Sequence, residues 1–224
     1  MNKTVLLFDL DGTLLDTLDD LYLSVNHALL ACGYPARTRE EVRNFVGGGV
    51  KKLIERAVPA GTPQDRADEV LRVFRPYYAS HSLDHTAPYP GIMEALAALA
   101  AAGCQMAIVS NKFDEAVKAL NRDFFGQYIS TAIGESDRIP KKPAPDGIFE
   151  AIRTLGARTE DCIYIGDSEV DVLTARAAGI PCLGCAWGFR GRCVLRDSGL
   201  ADSAIFDTPT DLTEYILSVT RFIG

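Results

Sequence analysis

No apolar run in the chain approaches the roughly 18 to 20 residues needed to cross a bilayer, so no spanning helix and no membrane partner are expected. Asp9 interrupts the N-terminal apolar run too early for the core of a secretory signal, and the expected address is the cytoplasm. Lysine and arginine form no block and number 23 against 30 acids, for a net charge of −7. That balance excludes a broad nucleic-acid surface, which gains its affinity by neutralising phosphates. A disulfide framework is missing too. Cys32, Cys104, Cys162, Cys182, Cys185 and Cys193 are scattered through apolar stretches and read as reduced core thiols. Cys182 and Cys185 have zinc-knuckle spacing, but no second pair follows them. Three histidines, His27, His81 and His85, lie in or beside expected helices and carry no assigned role. There is no internal repeat and no low-complexity segment.

What the chain does have is organised around Val5-Leu6-Leu7-Phe8-Asp9-Leu10-Asp11-Gly12-Thr13. Four apolar residues followed by acids and a glycine read as a short strand, buried on both faces, that ends at a polar rim. In extended chain the Asp9 and Asp11 carboxylates leave on the same side. Held that close they repel unless a cation or a shared proton joins them. Gly12 frees the backbone to turn and its amide to approach a ligand. An EF-hand also opens with Asp-x-Asp, but its glycine and glutamate positions are filled here by Leu14 and Asp20.

With 47% hydrophobic residues over 224 positions, one domain plus a modest accessory one can be buried. From Asp16 to His85 the period is helical, with stripes at Leu21 to Cys32, Val50 to Ala57 and Val70 to Tyr78, and a short helix over Glu40 to Val46. From Pro88 onward strands and helices alternate. Helices are expected over Ile92 to Ala102, Asp114 to Phe125, Asp146 to Leu155, Glu169 to Ala178 and Thr210 to Phe222. Strands are expected over Cys104 to Val109, Thr131 to Gly134, Cys162 to Ile165, Cys182 to Cys185 and Ala204 to Phe206. This alternation predicts an α/β fold, a Rossmann-like parallel sheet from residues 1–14 and 86–224, with a small all-helical domain, 15–85, inserted after the first strand.

Ligands bind beyond the carboxyl ends of parallel strands, so the polar residues after each apolar run should share one crevice. Met106 to Val109 exits into Ser110-Asn111-Lys112, just before an expected helix, where a hydroxyl and helix-start amides could hold an anion or merely cap the helix. Three prolines brace Lys141-Lys142, which places an ammonium or a plain loop lysine. Ile163 to Ile165 exits into Gly166-Asp167-Ser168-Glu169-Val170-Asp171, with Asp167 placed to meet Asp9 and Asp171 one helical turn further on. Three successive exits supply the hydroxyl, the lysine and the acid that Asp9 and Asp11 need.

At these four stretches, Asp9 to Thr13, Ser110, Lys142 and Gly166 to Asp171, the chain resembles the haloacid dehalogenase superfamily, motif by motif and in order. Pro88-Tyr89-Pro90-Gly91, Ser110-Asn111-Lys112, Lys142-Pro143-Ala144-Pro145 and Cys185-Ala186-Trp187-Gly188-Phe189-Arg190-Gly191 look like stretches of its phosphoglycolate phosphatase group. The resemblance implies an Mg²⁺-dependent phosphatase acting on a small phosphorylated metabolite, monomeric or homodimeric. Asp9 would be the nucleophile and form an aspartyl-phosphate. Mg²⁺ would be held by the Asp9 and Asp167 carboxylates and the Asp11 carbonyl. Asp11 would exchange protons with leaving group and water. Gly12, Thr13, Ser110, Asn111 and Lys142 would hold phosphoryl oxygens, with Asp171 supporting Lys142 or the metal.

The insertion matches the family's small helical cap in position. There Gly47-Gly48-Gly49 would form a loop, with Arg43, Lys51 and Lys52 placed to read a substrate carboxylate. The family often has a polar residue where Gly48 stands. Rival readings are a sugar-phosphate mutase or a pyrophosphatase of the same superfamily and, from another class, a non-catalytic phosphate-binding regulatory protein.

Overall fold

The computed structural model describes residues 4–220 and divides into two compact units, Met1–Leu14 with Pro88–Gly224, and Leu15–Ala87. The first unit is built on β1 (Val5–Phe8), all four of whose residues are buried. The rest of this unit is β4 (Gln105–Phe113), β5 (Thr131–Glu135), β6 (Cys162–Gly166), β7 (Cys182–Cys185) and β8 (Ile205–Phe206) with helices α5 (Ile92–Ala101), α6 (Asp114–Leu120), α7 (Asp146–Leu155), α8 (Glu169–Ala178), α9 (Gly191–Asp197) and α10 (Pro209–Thr220). The strands form one six-stranded sheet in the order β5-β4-β1-β6-β7-β8, and the pairings are parallel. β1 is therefore flanked on both sides, which is why its sequence is a continuous apolar run with no alternation. Alternate residues still part to opposite faces. Val5 and Leu7 join Ala107, Val109 and Tyr164 in a core closed by Ile148, Ala151 and Ile152 of α7 and Ala175 and Ala178 of α8.

Local chemistry starts and stops these helices. Ser168 caps α8 in a box with Asp171, and Gly156 and Gly179 end α7 and α8 in the left-handed conformation. The sheet departs from the sequence expectation mainly at β4, which continues through Phe113 because Phe113 pairs with Glu135 of β5 after a register shift. Ser110, Asn111 and Lys112 thus lie in a strand, and the expected helix-start amides are not there: α6 begins only at Asp114. Residues Asn121–Phe125 continue α6 as a π-helical turn. Helix α9 has no counterpart in the sequence reading, and Phe222, expected in the last helix, lies outside the described residues.

The second unit contains β2 (Leu15–Asp16), α1 (Leu18–Ala31), α2 (Arg39–Phe45), α3 (Val50–Ala57) and α4 (Gln64–His81), with β3 (Ala87–Pro88) at its end. β2 pairs with β3. Asp20 of α1, 1% exposed, ties the unit's ends together. It accepts from the backbone amides of His85 at 3.0 Å and Thr86 at 2.9 Å, and from the Thr86 hydroxyl at 2.8 Å. Burial pushes the Asp20 carboxyl up, but the bonds from Thr86 and His85 outweigh it and hold it below its ordinary value. Asp20→Ala would orphan these donors and is expected to cost about 3 kcal/mol in urea unfolding. A carboxyl held low when folded stabilises above its unfolded pKa, so this contribution should fade as pH falls from about 4 through the folded value.

Candidate active site

Register brings the acids together. Phe8 lies beside Ile165, and the Asp9 amide donates to the Ile165 carbonyl at 2.8 Å, so Asp9 and Asp167 emerge from the ends of adjacent parallel strands. The order of the sheet reverses here, with β4 and β5 to one side of β1 and β6 to β8 on the other. Oxygens of Asp9, Asp167 and Asp171, all buried, lie within 4.8 Å of one another. Glycines make room for them. A Cβ at Gly12 or Gly188 would collide with Asp167, and one at Gly166 with Asp171. Gly12 also has φ +87°, which other residues rarely adopt.

Lys142 Nζ stands 2.7 Å from an oxygen of Asp9 and 2.7 Å from one of Asp171, and donates to the Tyr164 hydroxyl at 3.0 Å. The Tyr164 hydroxyl donates in turn to the Val109 carbonyl at 3.0 Å. Asn111 grips the lysine's backbone from both sides, accepting from the Lys142 amide at 2.6 Å and donating to its carbonyl at 3.2 Å. The second Asp171 oxygen accepts from the Ser168 amide at 3.0 Å and hydroxyl at 2.6 Å. Asp167 accepts from the Phe189 amide at 2.7 Å. The Asp11 carboxylate stands outside the three-acid group and pairs with Lys112 Nζ at 3.0 Å.

Burial raises the Asp9 carboxyl to about 7, with Lys142 pulling the other way and Asp171 adding to the rise. Burial, then Asp171 and Asp9, push Asp167 well above the carboxylate range. Burial pulls Lys142 down, but Asp171 and Asp9 outweigh it and hold the ammonium charged. With all groups ionised, Asp9, Asp11, Asp167 and Asp171 against Lys112 and Lys142 leave two negative charges. Oxygen donors carrying that excess fit a hard divalent cation.

The family model described as haloacid dehalogenase-like hydrolase matches residues 6–185. The chain belongs to that family. It is 36% identical over 202 residues to phosphoglycolate phosphatase from Pseudomonas fluorescens (strain Pf0-1), covering 87% of this chain and 74% of that one. To phosphoglycolate phosphatase from Mesorhizobium japonicum it is 34% identical, over 97% of this chain and 98% of that one. The crystal structure of a candidate phosphoglycolate phosphatase from Lactobacillus delbrueckii subsp. bulgaricus superposes with a TM-score of 0.91 at 35% identity, over 96% and 99% of the two chains. Within the haloacid dehalogenase-like hydrolases, then, the chain is a phosphatase.

The sequence-predicted residues Asp9, Asn111, Lys142, Asp167 and Asp171 meet in one contiguous network. Ser110 is buried at its edge, its hydroxyl accepting from the Lys112 amide at 3.3 Å. Thr13 is buried, and its carbonyl accepts from Trp187 Nε1 at 3.0 Å. Arg43, Gly48, Lys51 and Lys52 belong to the helical unit, where Arg43 faces Glu40 at 3.6 Å and Lys51 faces Glu55 at 4.0 Å. Sequence reasoning overlooked Tyr164, although a tyrosine inside a fully apolar strand needs a partner for its hydroxyl. It also left Lys112 without a role and missed the Phe189 amide, which no side-chain pattern announces.

Proposed function

We propose that this phosphatase hydrolyses a small phosphomonoester of the phosphoglycolate type, through an aspartyl-phosphate formed on Asp9. The observation that supports this best is the setting of Asp9: a buried carboxylate at a strand end, 2.7 Å from a fixed ammonium and within 4.8 Å of two further acids. A carboxylate is a weak nucleophile toward a phosphate dianion unless the repulsion between them is offset. Lys142 supplies one positive charge beside Asp9. The Asp9 and Asp167 carboxylates and the Asp11 carbonyl would hold Mg²⁺, whose charge offsets the rest and stabilises the charge spread over the phosphoryl oxygens. Both Asp171 oxygens are engaged by Lys142 and Ser168, which suits Asp171 to fixing the lysine.

Asp9 attacks phosphorus, and the ester oxygen leaves with a proton from Asp11. Asp11 then takes a proton from water, which attacks the acyl phosphate and releases Asp9. Gly12, Thr13, the Ser110 hydroxyl and the Asn111 amide hold the phosphoryl oxygens through both steps. The helical unit serves as a cap that excludes water, with Arg43, Lys51 and Lys52 beside Gly48 reading the substrate's carboxylate. The enzyme works in the cytoplasm as a monomer or homodimer, with no nucleic-acid or membrane partner.

A phosphate-release screen over small phosphomonoesters tests this, with excess Mg²⁺ and with EDTA. Release from a carboxyl-bearing ester, abolished by EDTA and restored by Mg²⁺, is the expected result. No release from any ester would overturn the proposal, and conversion of glucose 1-phosphate to an isomer without phosphate release would replace it by a mutase.

A further inference from the structure

Lys112 is a lysine whose side chain is 8% exposed, an unusual place for an ammonium unless it has work there. Its Nζ lies 3.0 Å from Asp11 Oδ1, a carboxylate itself 19% exposed. The pair is largely desolvated, so it holds its geometry far better than a surface ion pair does. Asp11 sits two residues from Asp9, beside a group of acids suited to a divalent cation, yet its carboxylate is absent from that group. A carboxylate carried so close to those acids is attracted to any cation they bind, and its ion pair with Lys112 opposes that attraction. Lys112 comes from the extension of β4 past Val109, a strand end secured by the pairing of Phe113 with Glu135, so the restraint is delivered from sheet backbone.

We propose that Lys112 is a positioning residue: its ammonium holds the Asp11 carboxylate outside the cation's ligand set and free to exchange protons with the leaving oxygen and with water. This rests on the role given to Asp11 above. When the P–O bond to the leaving group breaks, the leaving oxygen takes the Asp11 proton. In the second step the Asp11 carboxylate takes a proton from water as the water oxygen bonds phosphorus and the Asp9 carboxylate departs.

Two measurements on the full-length protein test the inference. The first is Mn²⁺ binding by calorimetry, without substrate. Lys112→Met should tighten Mn²⁺ binding on the order of tenfold, because Asp11 is released to add a charged ligand. In an Asp11→Asn background the same substitution should change it little. No tightening, or tightening that persists without the Asp11 carboxylate, would overturn the inference. The second is kcat/KM for a carboxyl-bearing alkyl phosphate, an uncharged alkyl phosphate and p-nitrophenyl phosphate, whose leaving group departs without a proton. Lys112→Met should lose about 10²-fold on both alkyl esters and stay within about threefold on the aryl ester, with Lys112→Arg restoring most of the loss. Equal loss on all three would make Lys112 a phosphate contact or a structural residue. Loss confined to the carboxyl-bearing ester would make it a substrate-reading residue. If Lys112→Met does not fold, Lys112→Gln carries the same comparisons. A wild-type protein that turned over none of the three esters would overturn the proposed reaction, and the Mn²⁺ measurement would still decide on Lys112.

Discussion

Asp9→Asn should release phosphate at least about 10⁴-fold more slowly than the wild type in the presence of Mg²⁺, while unfolding in urea at nearly the same midpoint. The amide keeps the size and shape of the carboxylate but cannot form the acyl phosphate. Stability should change little because two effects oppose. Asp9 is a buried carboxyl raised to about 7 chiefly by desolvation, so removing its charge relieves a strained group. The same change deprives Lys142 of one partner, yet Lys142 keeps Asp171 at 2.7 Å and Tyr164 at 3.0 Å. Single-turnover phosphate release and a denaturation curve, measured on one preparation, separate the two outcomes. Turnover within tenfold of the wild type would remove Asp9 as the nucleophile. A collapsed midpoint would make its role structural.

Lys142→Met should lose both activity and stability. Methionine roughly matches the stem in volume but leaves Asp9, Asp167 and Asp171 buried together with no ammonium among them. Removing one partner of a buried ion pair costs about 3 to 5 kcal/mol, because the charge left behind is neither solvated nor paired. The expected result in EDTA is a lowered unfolding midpoint of that size, with turnover reduced at least about 10³-fold when Mg²⁺ is restored. Adding Mg²⁺ or Mn²⁺ should recover part of the lost stability, since a cation bound by these acids favours the folded state by mass action. A variant as stable as the wild type in EDTA would mean that Lys142 does not offset the charge of these acids.

The elements that were easy to place from sequence are those whose pattern is local. β1, α7 and α8 carry an unbroken apolar run or a helical stripe ended by glycine. α2 opens at Thr38, whose reciprocal bonds with Glu41 form a capping box in the structure. β4 was harder because Ser110-Asn111-Lys112 has the composition of a loop. The pairing of Phe113 with Glu135 of the partner strand keeps it extended. Helix α9 buries Leu195 alone, so it leaves no stripe to find.

From the sequence alone came the chemistry: which acids, which lysine and which hydroxyl follow the apolar runs, and the family motifs they compose. Strand periodicity and turn residues encode that much, because each depends on a few neighbouring positions. The tertiary structure alone decided who touches whom. It set one ammonium between Asp9 and Asp171 and sent Asp11 to a different lysine, 101 positions away along the chain. Such pairings follow from the register of parallel strands and from the glycines that let Asp167 and Asp171 approach, and no local pattern carries a register between distant strands.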